Sequence, residues 1–146
     1  MRARVWCLGL LMMAGCGDVS ISNQPLSGKI GGNAWTFGTG ETDSSLSTTD
    51  SLFVNLYPGS FTTCAFAAPL DTDLVTLMIP TKPGSYDLSL QQNATLYVAS
   101  SSNNYVATSG RLQVNSVTAT TVSAGLHATY DGSNEVDGQF QATICP

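Results

Sequence analysis

The stretch TVSAGLHATYDGSNEVDGQFQATI, residues 121–144, decides the fold, because apolar and polar residues alternate along it on both sides of a turn. Before the turn, apolar residues occupy every second position: Val122, Ala124, Leu126, Ala128 and Tyr130. After it, the same period resumes in Val136, Gly138, Phe140, Ala142 and Ile144. Successive side chains of a strand point to opposite faces, so this period predicts two strands, each with one buried and one solvated face. The intervening DGSN favours a turn, and the two strands should therefore form an antiparallel hairpin.

The region before this hairpin also contains strand signals. Residues 111–117 are expected to pair with the other side of the first hairpin strand. The Gly-Gly-Asn sequence at 31–33 readily adopts positive φ angles, and it predicts a tight turn between strands at 27–30 and 34–37. Further strands are predicted at 52–57, 74–79, 86–90 and 95–99, followed by a polar loop at 100–104.

The composition supports the same fold class. From Gly28 onward the chain is rich in Thr, Ser, Val, Tyr and Gly, and no long stretch places apolar residues at helical spacing. We therefore expect residues 28–146 to form a single all-β domain, an antiparallel β-sandwich or barrel-like domain of about 8–10 short strands.

The N-terminus has the order of an export signal. Arg2 and Arg4 precede an apolar stretch, 5–13, which leads directly into Ala14, Gly15 and Cys16. This stretch is about half the roughly 20 residues that a membrane-spanning helix needs, so we interpret residues 1–15 as a cleaved signal peptide. The sequence 13–16 resembles the lipobox of bacterial lipoproteins, in which small residues precede a Cys that is acylated. An ordinary secretory signal with a Cys near its cleavage site is the alternative.

The lipobox resemblance implies that Cys16 is the lipidated first residue of the mature protein. Each buried methylene of an acyl chain contributes about 0.8 kcal/mol, so several chains would hold the protein on a membrane. In such lipoproteins an Asp directly after the acylated Cys favours the inner membrane, whereas this position is Gly17. We expect a lipid-anchored protein of the cell envelope, with the outer membrane favoured. Residues 16–27 are polar and aperiodic, which is typical of a tether reaching at most about 40 Å.

The charge of the mature chain argues against two classes of partner. After signal removal, three cations (Lys29, Lys82 and Arg111) face ten acids, a formal charge of −7. Nucleic-acid binding needs clustered Lys and Arg, and these three are scattered. The net negative charge also disfavours electrostatic adhesion to anionic lipid.

The cysteines predict one disulfide. Cys7 leaves with the signal and Cys16 carries lipid, which leaves Cys64 and Cys145 to pair in an oxidising compartment. A reactive or metal-binding thiol pair is the alternative, but it lacks a CxxC spacing or a nearby His.

No catalytic group, metal or cofactor is predicted. His127 is the chain's single His, no GxSxG sequence is present, and strand alternation places His127 on the face opposite Leu126 and Ala128. One His without spaced partners does not form a zinc site. Calcium could bind the acids of 71–73 or 131–138, but turn chemistry explains the latter without an ion. A glycosidase-like carboxylate pair is a further alternative, which sequence spacing does not test.

The aromatic residues suggest where a partner could bind. Trp35 begins a strand after a tight turn and is expected in the core. Tyr97 and Tyr105 flank the predicted polar loop and form the candidate binding surface, because exposed Tyr can stack on sugars or anchor a protein partner.

Short motifs also resemble those of a group of small, uncharacterised bacterial lipoproteins with one β-domain. They are SGKIGGNAW at 27–35, PGSY at 83–86 and VDGQF at 136–140. The resemblance implies a fold and supplies no catalytic residues. We expect a non-catalytic, partner-binding or envelope-structural domain, and a ligand-binding or carbohydrate-binding module is the alternative.

Overall fold

The computed structural model describes residues 19–65 and 71–146. Apart from one short 3₁₀ turn at Ala99–Ser101, its regular elements are strands, which confirms the all-β prediction. The strands are β1 Ser27–Ile30, β2 Asn33–Thr36, β3 Thr39–Asp43, β4 Ser51–Tyr57, β5 Leu74–Pro80, β6 Gly84–Asp87, β7 Ala94–Val98, β8 Asn103–Ala107, β9 Ser109–Val117, β10 Thr121–Asp131 and β11 Asn134–Thr143. Among the described residues, no helix is long and apolar enough to cross a membrane.

The described part of the chain has 11 strands, more than the predicted 8–10. The two strands that the sequence pattern missed are β3 and β8. β3 reads TGETD, and β8 begins with Asn103 and Asn104, so both contain residues with low strand propensity. Each is a strand because a neighbour supplies its backbone partners: β4 pairs with β3, and β7 pairs with β8.

The strands form one mixed sheet with the order β6-β9-β10-β11-β3-β4-β5-β7-β8, and β1 and β2 branch from β11. Every ladder is antiparallel except that of β11 and β3, where Thr143 lies beside Glu41 in a parallel arrangement. The prediction of a purely antiparallel sheet is therefore wrong at this position. β11 is long enough to pair with β1 at its start and with β3 at its end, and the chain returns through β3 in the direction of β11.

The sheet curls into a half-barrel around one apolar core. β8 contacts β10 and β1 contacts β7, so the two ends of the sheet approach each other. The ring of Tyr105 in β8 lies 5.2 Å from that of Tyr130 in β10. Trp35 is buried, as predicted, and its indole N–H donates to the backbone oxygen of Asp73 at 3.1 Å. The largest fully buried side chains include Leu26, Ile30, Leu56, Ile79, Leu96, Leu112 and Leu126.

Both predicted hairpins are present. β10 pairs with β11 along nearly its whole length, with Leu126 opposite Gly138. In the connecting turn, the Asp131 carboxylate accepts the Ser133 N–H at 2.9 Å. The β1–β2 turn has positive φ angles at its two glycines, and the Gly31 N–H donates to the Asn134 side chain at 2.8 Å. The two hairpin turns are thus bonded to each other.

Candidate functional sites

The first candidate site is the N-terminal segment, residues 19–26, which lies along β11. The Leu26 backbone N–H donates to the backbone oxygen of Gln139, and the Gln139 backbone N–H donates to the backbone oxygen of Gln24, both at 2.8 Å. The Leu26 side chain is fully buried. The segment can approach because residue 138 is Gly with φ of +140°, and a Cβ there would lie 2.6 Å from the Gln24 oxygen.

Polar contacts hold the earlier part of this segment on the outer face of the sheet. The Ser22 backbone N–H donates to the Asp137 carboxylate at 3.1 Å, and the side-chain amide of Gln139 donates to the Ser22 backbone oxygen at 2.9 Å. Arg111 donates to the Val19 oxygen at 3.3 Å. Residues 19–27 of the predicted tether are therefore not a free linker, because backbone pairing and the burial of Leu26 hold them on the domain.

The predicted lipidation site and signal peptide fall outside the described residues. Cys16 is three residues before Val19, and three extended residues span about 10 Å at most. Any anchor at Cys16 would consequently hold this face of the domain much closer to a membrane than the predicted tether of about 40 Å.

A row of ionisable side chains crosses the outer face beneath the N-terminal segment. The strand registers place Asp87, Arg111, His127 and Asp137 side by side on four neighbouring strands. The Arg111 Nε lies 2.9 Å from the Asp87 carboxylate, and the His127 Nδ1 lies 3.5 Å from that of Asp137. His127 is on the face opposite Leu126, as predicted, and its side chain is 35% exposed. Its Nδ1 is buried and has no hydrogen-bond partner among the described residues.

A polar groove lies between the N-terminal segment and strands β6, β9 and β11. Its volume is about 360 Å³. Side-chain amides and one guanidinium line it, and a hydrogen bond from Asn115 Nδ2 to Gln139 Oε1 crosses it at 3.3 Å. The polar lining consists of Asn23, Ser85, Arg111, Gln113, Asn115 and Gln139. The amides and the Ser85 hydroxyl donate and accept neutral hydrogen bonds, and the Arg111 guanidinium donates, which suits a hydroxyl-rich ligand.

The predicted disulfide between Cys64 and Cys145 is present, and it borders an open cleft of about 470 Å³. The Glu41 carboxylate accepts the Cys64 N–H at 2.7 Å and lies 3.9 Å from the Cys145 sulfur. Glu41 and the two cysteines form the one group of metal-ligand residue types found in the described chain. Because disulfide sulfurs are not thiolates, this group does not offer the ligands that a metal would need.

Two further residues of this cleft have shifted pKa values. Hydrogen bonds from the hydroxyl and backbone N–H of Ser45 hold the pKa of Asp43 below its ordinary value of 3.8. Burial, together with the charges of Glu41 and Asp43, raises the pKa of Tyr57 above 10.0. These residues share no sequence motif, because they meet only when β3 pairs with β4.

Two of the acidic residues considered for calcium, Asp73 and Asp131, accept hydrogen bonds within the fold. The Asp73 carboxylate accepts the Ala99 N–H at 2.8 Å. The Asp131 carboxylate accepts the Ser133 N–H and the Asn134 amide, both at 2.9 Å. These bonds give each carboxylate a structural role in the turn that it supports.

The two tyrosines of the predicted binding surface lie on opposite faces. Tyr105 is opposite Leu96 in the β7–β8 ladder and packs against the core. Tyr97 is opposite Asn104 and therefore points outward. The pair does not form one surface, because the predicted loop between the tyrosines is a 3₁₀ turn followed by β8. Alternation with the apolar Leu96 and Val98 is the sequence signal that places Tyr97 outside.

In comparisons with known proteins, the chain matches no family model, and no curated protein or solved structure is significantly similar to it. The resemblance to small bacterial lipoproteins accordingly stays a prediction from the short motifs.

Proposed function

We propose that the chain is a membrane-anchored bacterial lipoprotein whose β-domain rests close to the bilayer and binds a partner there, without catalysing a reaction. The observation that supports this most is the docked N-terminal segment, because Val19, three residues after the lipobox Cys, already accepts a hydrogen bond from Arg111 of the sheet. An acylated Cys16 in this arrangement would fix which face of the domain lies near the membrane. A domain oriented in this way suits a structural or partner-binding role in the envelope.

Other features of the chain are consistent with this assignment. A disulfide is typical of exported proteins. The mature charge of −7 keeps the domain from adhering to anionic lipid by itself, so a covalent anchor would be the means of attachment. Gly17 after the lipobox Cys favours the outer membrane over the inner membrane.

The support for a non-catalytic role is the use that the fold makes of its reactive groups. Cys64 and Cys145 are joined in the disulfide. The Asp73 carboxylate accepts the Ala99 N–H, and the Asp131 carboxylate accepts the Ser133 N–H. His127 lies beside Asp137 under the N-terminal segment, with its Nδ1 buried. A nucleophile within hydrogen-bond reach of the base is what covalent catalysis would need.

The intact mass of the protein purified from host membranes tests the anchor. We expect the mass of a chain that begins at Cys16, increased by acyl chains, with a further gain of about 2 Da when a reductant opens the disulfide. Cys16→Ala should remove the acyl mass and release the protein from the membrane fraction. An unacylated wild-type chain that begins after another cleavage site would overturn the proposal.

Amide hydrogen exchange of the membrane-bound protein tests the docking. The backbone amides of Leu26 and Gln139 should be protected from exchange as strongly as those of β10, because both donate to backbone oxygens at 2.8 Å. Exchange of the Leu26 amide at the rate of an unstructured peptide would show that the segment is a free linker.

The polar groove favours a second candidate function, a module that binds a ligand or carbohydrate. Its amides match the hydrogen-bonding of sugar hydroxyls, although none of its lining residues within 19–65 and 71–146 is an aromatic that could stack. Calorimetric titration with neutral oligosaccharides should then show binding that Gln113→Ala abolishes and Gln141→Ala, on the exposed part of β11 outside the groove, preserves. Equal binding by both variants would exclude the groove as the site.

A further inference from the structure

Three side chains of metal-ligand type meet at the open cleft. The carboxylate of Glu41 and the sulfurs of Cys64 and Cys145 all lie within 4.8 Å of one another. In the disulfide the two sulfurs bind each other, whereas reduction would leave two thiols beside the carboxylate. Two thiolates and a carboxylate are ligands that Zn²⁺ accepts, and three protein ligands leave its fourth position open to water.

The spacing of these groups suits a tetrahedral zinc ion. Zn–S bonds of about 2.3 Å and Zn–O bonds of about 2.0–2.2 Å place neighbouring ligand atoms roughly 3.5–3.8 Å apart. The Glu41 carboxylate already lies 3.9 Å from the Cys145 sulfur. The Cα atoms of the two cysteines are 5.4 Å apart, so rotation about the Cα–Cβ bonds can bring the freed sulfurs to that spacing.

Contacts that do not involve sulfur hold the three residues in place. The Cys145 backbone N–H donates at 2.8 Å to the hydroxyl of Thr42, which is buried. The Cys64 backbone N–H donates at 2.7 Å to the Glu41 carboxylate. A carboxylate accepts several bonds, so Glu41 can keep this one while it binds a metal ion. The three residues should therefore stay together after the disulfide opens.

A reductant and a cation can both reach this group. Cys64 is exposed, and Glu41 and Cys145 are partly exposed at the cleft of about 470 Å³. Among the described residues that line the cleft, Glu41 and Asp43 are acidic, and none is Lys, Arg or His. The cleft therefore attracts cations.

We propose that reduction of the Cys64–Cys145 disulfide creates a Zn²⁺ site from the two thiolates and the Glu41 carboxylate. A dithiol supplies the two electrons and two protons that convert the disulfide to two thiols, and it becomes a disulfide itself. Zn²⁺ then displaces the protons of both thiols as it binds. The redox state of the chain thus controls whether the ion is bound. The inference goes beyond the proposed function and does not require the lipid anchor.

Zinc binding by the purified full-length protein, in detergent where needed, tests this site. A water-soluble phosphine reduces the disulfide and becomes a phosphine oxide, because water supplies the oxygen and the two thiol protons. Competition with a chromophoric zinc chelator then measures stoichiometry and affinity. We expect one Zn²⁺ per reduced chain and none per disulfide-bonded chain. Equal zinc binding by the two forms would overturn the proposal.

A matched pair of Glu→Gln variants tests the carboxylate ligand. Glu41→Gln keeps an oxygen for the Cys64 N–H but loses the anionic ligand. Its zinc affinity should fall at least about tenfold, since losing even an outer partner of a ligand has that effect. Glu135→Gln is the control, because Glu135 lies opposite Lys29 at the start of β11, and it should bind zinc like wild type. Equal affinities of the reduced variants would overturn the three-ligand site.

Co²⁺ in place of Zn²⁺ tests the thiolate ligands directly. The reduced wild-type protein should show thiolate-to-cobalt charge-transfer absorption in the near ultraviolet, and Cys64→Ser should weaken it. Unchanged absorption in this variant would refute ligation by Cys64. Trp35 fluorescence should stay native after reduction, because Trp35 is buried in the core. A reduced chain that is unfolded would also overturn the proposal, since the site needs the folded β3.

Discussion

Removing the Cys64–Cys145 disulfide should cost a large part of the stability of the domain. The bond joins residues 81 positions apart, and loop-closure entropy for a loop of that length is worth about 4.5 kcal/mol at 25 °C. Contacts at both cysteines do not depend on sulfur: Glu41 accepts the Cys64 N–H at 2.7 Å, and the Thr42 hydroxyl accepts the Cys145 N–H at 2.8 Å. The loss should therefore come mainly from greater freedom of the unfolded chain.

Urea unfolding of the double variant Cys64→Ser, Cys145→Ser measures this loss. With a slope of about 1.5–2 kcal/mol per molar urea, the midpoint should fall by about 2–3 M. Trp35 reports the transition, because it is buried and is the only Trp after residue 15. Wild-type protein treated with a dithiol reductant is the control and should follow the curve of the variant. A midpoint change under about 0.5 M would refute the entropy argument.

Three further predictions concern the docked segment and the cleft. Leu26→Ala should lower the free energy of unfolding by about 2–5 kcal/mol in the same urea assay, because Leu26 is fully buried; a free tether would show no loss. Gly138→Ala should cost about 1–3 kcal/mol and expose the segment to limited proteolysis, since φ is +140° and the new Cβ would lie 2.6 Å from the Gln24 oxygen. Cleavage as slow as in wild type would contradict this. The pKa of Tyr57 is raised by burial and then by the Glu41 charge, so ultraviolet titration should find one tyrosine ionising above 10.0, at lower pH in Glu41→Gln. Because the folded state retains this proton more tightly, the associated stability is present below pH 10.0 and is lost as pH rises through the higher folded-state pKa. An unchanged titration in the variant would exclude the Glu41 contribution.

Elements with a strong local pattern were predicted from the sequence, and elements without one were not. The alternation in 121–144 predicted β10 and β11, and the Gly-Gly-Asn turn predicted the β1–β2 hairpin. β3 and β8 escaped detection because β3 is mostly polar and β8 begins with two Asn, and their strand conformation depends on pairing with β4 and β7.

The N-terminal segment was interpreted as a tether because its composition is polar. It does contain apolar residues, among them Leu26 directly before the first predicted strand. Its docking also needs the close approach that Gly138 allows, and residue 138 is far away in the sequence. The cleft residues Glu41, Asp43 and Tyr57 were missed for the same reason, since they are neighbours only across paired strands.

The sequence by itself determined the strand-rich fold class, the two hairpins, the buried position of Trp35 and the pairing of Cys64 with Cys145. Each follows from local periodicity, from turn residues or from a count of cysteines, and none requires knowledge of which distant segments meet. Only the tertiary structure decided the parallel contact of β11 with β3, the docking of residues 19–26, and the placement of Tyr97 and Tyr105 on opposite faces. These features depend on strand register and on backbone approach between residues far apart in the chain, and neither leaves a periodic signal in the amino-acid sequence.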